Sequence, residues 1–111
     1  MSKDNKSIIV FKKRVMLWAD KIRVNPSRIR VQEMTHKWAS CSPAGWVSFS
    51  KDLIKENGAF QDYVIVHELL HLKVPNHGKL FKSLFSTHFP QWHTFHHRNG
   101  SFPVCDKQLP E

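Results

Sequence analysis

The stretch Val66-His67-Glu68-Leu69-Leu70-His71 constrains this chain more than any other. On a helix, residues four apart lie one turn above each other on the same face, so His67 and His71 can aim both imidazoles at a single metal ion. Glu68 stands beside them, placed to work on a water at that metal. The four-residue spacing requires a helix, although Val64-Ile65-Val66 just before it is a β-branched run of poor helix propensity. A helix buried on all sides tolerates such a run. We therefore expect a buried helix from about Ala59 to Leu72, with Asp62 in its first turn suiting the positive end of the helix dipole. In so apolar a segment, two imidazoles and a carboxylate are costly unless they bind something.

Periodicity sets what surrounds this helix. Ile8, Phe11, Val15, Trp18 and Ile22 recur at three and four, which predicts an amino-terminal packing helix over about Lys6 to Lys21. Asn25-Pro26-Ser27 breaks it. Arg28 to Gln32 alternates and reads as a strand, and Lys37 to Ser40 is a second strand candidate. Ser42-Pro43-Ala44-Gly45 is turn chemistry, and Trp46 to Ser50 alternates again, a third strand forming a hairpin with the second. Asp52 to Lys55 reads as a short helical turn. A further helix, about Gly78 to His88, carries Leu80, Phe81, Leu84 and Phe85 on one face and ends before Pro90. Trp92 to His97 is a candidate last turn, and Asn99 to Glu111 reads as a loose tail. These 111 residues make one domain. The class is α+β: a small, mostly antiparallel sheet packed against the amino-terminal helix and the metal helix.

Catalytic zinc usually takes three protein ligands and keeps one position for water, so two histidines leave the site short by one. The only acidic residues after Glu68 are Asp106 and Glu111 in the tail, which points to a histidine as the third ligand. His77 is nearest, in the turn Pro75-Asn76-His77-Gly78 that follows the helix. His88, His93, His96 and His97 are its rivals, with polar neighbours that suit surface histidines. Glu68 diverges by about 100° from His67 around the helix and is not placed to share the metal. Its expected role is general base, with orientation of a neighbouring histidine as the alternative. The donor that would stabilise an oxyanion is open among His93, His96, His97 and Tyr63.

Charge and cysteines bound the rest. Net charge is +8, which favours polyanions, acidic proteins or a DNA-bound setting. No apolar run approaches bilayer length. Ile8-Ile9-Val10-Phe11 is too short for a signal-peptide core and runs into Lys12-Lys13-Arg14, so a cytoplasmic monomer without a membrane partner is expected. Cys41 and Cys105 lie far apart and read as core thiols rather than as a metal pair.

Three blocks resemble the YgjP-like zinc metallopeptidase domain, a relative of the SprT-like peptidases. They are Arg28 to Val31 with Lys37 to Ser42, then Gly45 to Ser50, and most closely Tyr63 to His71 with Pro75-Asn76-His77. Ala39 and Lys37 depart from the glycine and arginine usual in that family. The resemblance implies a minimal zincin-like metallopeptidase holding Zn2+ at His67, His71 and His77, with Glu68 catalytic. It also implies a protein or peptide substrate, and we expect the Gly45 to Ser50 strand to line the substrate cleft. The SprT-like branch acts on DNA-attached proteins, with which the basic charge is compatible. The alternative from another class is a basic DNA- or protein-binding module with structural zinc, closed by Cys41 or Cys105 as a fourth ligand. Hydrolysis of a non-peptide amide by the same groups is a third.

Overall fold

The computed structural model describes residues 2–35, 37–42, 44–74 and 78–90. Along the chain lie α1 (Ser2–Ile22), β1 (Arg28–Gln32), β2 (Ala39–Cys41), β3 (Trp46–Ser50), a 3-10 turn (Lys51–Lys55), α2 (Gly58–Leu70) and α3 (Lys79–His88). This is the expected α+β arrangement of helices on a small sheet. The expected segments Trp92 to His97 and Asn99 to Glu111 fall outside the described residues, as does the turn holding His77.

The amphipathic pattern of α1 does what its period requires. Phe11, Val15, Ala19 and Ile22 are buried, with Trp18 packed at the edge of the core. The helix stops at Arg23, which takes a left-handed conformation (φ 68°). The N–H groups of Arg23 and Val24 both donate to the Ala19 carbonyl, at 2.8 and 3.0 Å, and so close off the helix end.

The sheet has the order β1-β3-β2. The hairpin is antiparallel as expected, pairing Ala39 with Phe49 and Cys41 with Val47. The other half differs. β1 runs parallel to β3, from Arg28↔Trp46 to Gln32↔Ser50, so the sheet is mixed rather than mostly antiparallel. Alternation reveals a strand but not its neighbour. The chain leaves β1, crosses to the far edge as β2, and the tight turn returns it as β3 in the direction of β1. That turn is tied down by its own side chain: Ser42 Oγ accepts from the N–H of Ala44 and of Trp46, both at 3.2 Å. Gly45 holds φ 92°, and a Cβ there would stand 3.1 Å from Ser27 Oγ, so both conformation and space favour glycine.

Val47 and Phe49 face the core, where Phe11 of α1 meets Phe49 edge-on at 5.2 Å. α2 packs between α1 and α3 and also lies against β2. One expectation fails at the α1–α2 contact. Asp62 is not in the first turn of α2, which begins four residues earlier at Gly58. Its carboxylate instead accepts from Arg14 Nε at 2.7 Å and from Trp18 Nε1 at 2.8 Å, both on α1. In α3, Phe81 and Phe85 are buried as expected, whereas Leu80 is 60% exposed. The helix rests on the core along a narrower stripe than its apolar residues suggest.

Candidate metal centre

α2 starts where Asn57 accepts a hydrogen bond from the Phe60 N–H through its side-chain oxygen, at 2.9 Å. From Tyr63 to His71 every residue is buried. An all-round apolar helix is a core helix, which is how Val64-Ile65-Val66 remains helical against its propensity. The motif sits at the carboxyl-terminal end of this rod. His67 and Glu68 lie in its last turn, and His71 is its cap residue, still helical at φ −65° and ψ −17°.

The imidazoles of His67 and His71 come together, with ring centroids 4.9 Å apart and planes at 81°. Two imidazoles on one tetrahedral zinc, at about 2.0–2.1 Å per Zn–N bond, hold their centroids roughly 5 Å apart. The pair therefore fits a shared metal. The ring of His71 is oriented from its own chain. The last turn tightens to i→i+3 bonds, with the His71, Leu72 and Lys73 N–H groups donating to the carbonyls of Glu68, Leu69 and Leu70. The chain then folds back so that the Val74 carbonyl lies 3.3 Å from His71 Nδ1. A carbonyl only accepts, so Nδ1 carries the proton and the lone pair sits on Nε2, the arrangement a metal ligand needs.

Glu68 is completely buried. Its Oε2 lies 3.8 Å from His67 Nδ1, close enough for charge to be felt and too long for a hydrogen bond. The other walls come from α3. The ring of Phe81 stands 5.3 Å from that of His67 and 4.9 Å from that of His71, and Phe85 lies 5.9 Å from His67. Phe81 and Phe85 repeat the four-residue spacing of the histidines, so two matched faces meet. The sequence marks these phenylalanines only as a packing face. Their shared spacing was the available signal; the Val74 carbonyl had none.

Among the described residues, no third His, Cys, Asp or Glu completes a metal-binding group with this pair. That covers two of the expected alternatives. His88 ends α3, where burial and then the charges of Lys73 and Lys21 lower its pKa. Cys41 is buried on β2, with Sγ donating to the Ser42 carbonyl at 3.8 Å. His77, His93, His96, His97 and Cys105 lie outside the described residues. Tyr63, one turn before His67, is buried with its ring 6.4 Å from that of His67, and burial pushes its pKa up to about 12. The strand expected to hold substrate is corrected: β3 is the central strand, paired on both sides, so the edge beside α2 is β2.

None of the described helices is long and apolar enough to cross a membrane. The fold is similar to that of the crystal structure of the metallopeptidase zymogen of Methanocaldococcus jannaschii jannalysin. The TM-score is 0.70 at 24% identity, over 82% of this chain and 92% of that one. It is also similar to the metallopeptidase zymogen of Pyrococcus abyssi abylysin, with a TM-score of 0.73 at 16% identity, over 85% of this chain and 98% of that one. No curated protein matches the chain. The YgjP-like metallopeptidase domain matches over residues 4–98, and the chain, with its paired imidazoles at the end of a buried helix, belongs to that family.

Proposed function

We propose that this metallopeptidase domain is a zinc-dependent endo- or exopeptidase in which His67, His71 and His77 hold the metal and Glu68 is the general base. What supports this reading above all is the 4.9 Å approach of the two imidazoles, with His71 Nδ1 held by the Val74 carbonyl. A zinc ion there would supply Lewis acidity, lowering the pKa of a water towards about 7 and polarising the scissile carbonyl. Glu68 takes the proton of the attacking water and passes it to the leaving amine. Its complete burial suits that task, because excluding solvent strengthens electrostatic interactions with the reacting groups. Phe81 and Phe85 hold the imidazoles by packing.

An extended peptide has one sheet edge near the site. On either side of β2, the Ser50 N–H of β3 donates to the Trp38 carbonyl and the Ser42 N–H donates to the Trp46 carbonyl, so the even-numbered residues here pair with β3. The backbone groups of Ala39 then point away from β3, on the side where a substrate strand could add. The narrower proposal, that the substrates are DNA-associated proteins, rests on the net charge of +8.

The test is metal content and hydrolysis measured together on the purified protein. Glu68→Gln should keep the metal and lose hydrolysis. His71→Ala should lose both, and so should His77→Ala, whereas His88→Ala should keep both. Chelation should abolish cleavage and added zinc restore it. A Glu68→Gln protein that cleaves like the wild type would remove the general-base role.

A further inference from the structure

A cleft of about 480 Å3 opens beside His71, between the end of α1, the β2–β3 turn and the exit of α2. Arg23 and Asn25 line it from the first side, Cys41 and Ser42 from the second, and His71 and Lys73 from the third. Its described lining holds two permanent cations and no carboxylate.

The two cations differ in what the fold asks of them. Lys73 Nζ donates to the Ile22 carbonyl at 3.0 Å, so its charge is anchored at the carboxyl-terminal end of α1. That alone would be a helix cap. Arg23 has no such duty: among the described residues its guanidinium has no hydrogen-bond or ion-pair partner. It also occupies a left-handed position, φ 68°, that glycine or asparagine takes more readily. The chain thus keeps an arginine where the backbone favours something smaller, at the rim of a cleft that reaches a candidate metal ligand.

We propose that this cleft is a substrate subsite for a carboxylate, with Arg23 as its specificity-determining residue and Lys73 as a second, fixed charge. The carboxylate belongs either to an acidic side chain near the scissile bond or to the carboxyl terminus of the substrate. Ser42 and Asn25 supply neutral hydrogen-bonding groups on the same walls. The assignment rests on the peptidase reading for its biological sense, but binding tests it without turnover.

The probes are three labelled hexapeptides of one sequence: neutral with an amidated terminus, the same with one internal glutamate, and the neutral sequence with a free terminal carboxylate. Their affinities for the zinc-loaded Glu68→Gln protein are read by fluorescence anisotropy, moving the glutamate through each position. One carboxylate peptide should bind about fivefold more tightly than the neutral one, the scale of a single solvent-screened charge pair. The arm that gains identifies the source. Arg23→Asn keeps a residue suited to the left-handed backbone and should bring the ratio close to one, while Arg23→Lys should retain most of it. Equal affinities for all three peptides overturn the subsite, as does a ratio that Arg23→Asn leaves intact. Wild-type cleavage, measured in parallel, judges the peptidase reading separately. A carboxylate preference without cleavage removes that reading and keeps the site, and cleavage without the preference does the reverse.

Discussion

Tyr63 shows how far a single buried group can reach. Its phenol is held among Phe60, Phe85 and Phe89, with ring centroids 5.9, 5.5 and 6.4 Å away. Burial raises its pKa from 10.0 to about 12. Below pH 10 the phenol is neutral folded or unfolded, and stability does not depend on it. Between pH 10 and 12 the unfolded chain releases the proton more readily than the folded one, so the folded state loses roughly 3 kcal/mol across that window. Thermal melts of the wild type should fall more steeply over this range than those of Tyr63→Phe, and parallel curves would show that the phenol is not held neutral. Phe81 is the other residue with two duties, since its ring touches both imidazoles. Phe81→Ala should lower stability by about 3–5 kcal/mol, as for other buried aromatic rings. It should also weaken metal binding more than Phe81→Leu, because the alanine leaves both rings without a wall. Calorimetric melts with zinc titration would check the pair of effects, and metal affinity unchanged in both variants would exclude the orienting role.

Between elements, the contact that fixes α2 is the one with α1. Asp62 accepts from Arg14 and Trp18, and Arg14 Nη2 also donates to the Gly58 carbonyl at 3.3 Å. Arg14 is partly exposed, so the ion pair is screened, and the bond from the half-buried Trp18 indole carries more of the effect. Asp62→Ala should cost about 1–2 kcal/mol, and Arg14→Ala less; urea denaturation would rank them, and the reverse order would give the weight to the charge pair. This contact also marks where sequence reading stops. The strands Arg28–Gln32 and Trp46–Ser50 were legible because alternation is local, and α2 was legible because the spacing of His67 and His71 demanded a helix. The parallel pairing of β1 with β3 was not, since nothing within either strand names its neighbour. Asp62 was legible as an acid near a helix start, but its partners lie on α1, with three strands and a 3-10 turn between them and α2. The motif histidines and Glu68 carry their chemistry in their spacing. The Val74 carbonyl belongs to a residue of no special type, and only the fold brings it to His71.

At the scale of the whole molecule, the charge of +8 gathers partly around the outer face of β1 and β3. Arg28 and Arg30 project on the same side as Trp46, their guanidinium carbons 5.1 and 5.6 Å from its ring centroid. The indole is 39% exposed, so an aromatic surface and two fixed cations are presented together. The opposite side of the sheet is spent on the core through Val47 and Phe49, so this face can carry a partner without disturbing the fold. If the substrates are DNA-associated proteins, this is the face on which contact with DNA is best tested. Binding to a short DNA duplex should then weaken steeply with salt, because each neutralised phosphate releases condensed counterions. Replacing both arginines by serine should reduce the slope of log K against log salt by about 2, one unit for each lost phosphate contact. Peptide hydrolysis should be untouched, since neither arginine lines the cleft beside His71. Fluorescence anisotropy across a salt series makes the measurement. A slope that the double substitution leaves unchanged would detach the basic charge from DNA at this face and return it to solubility.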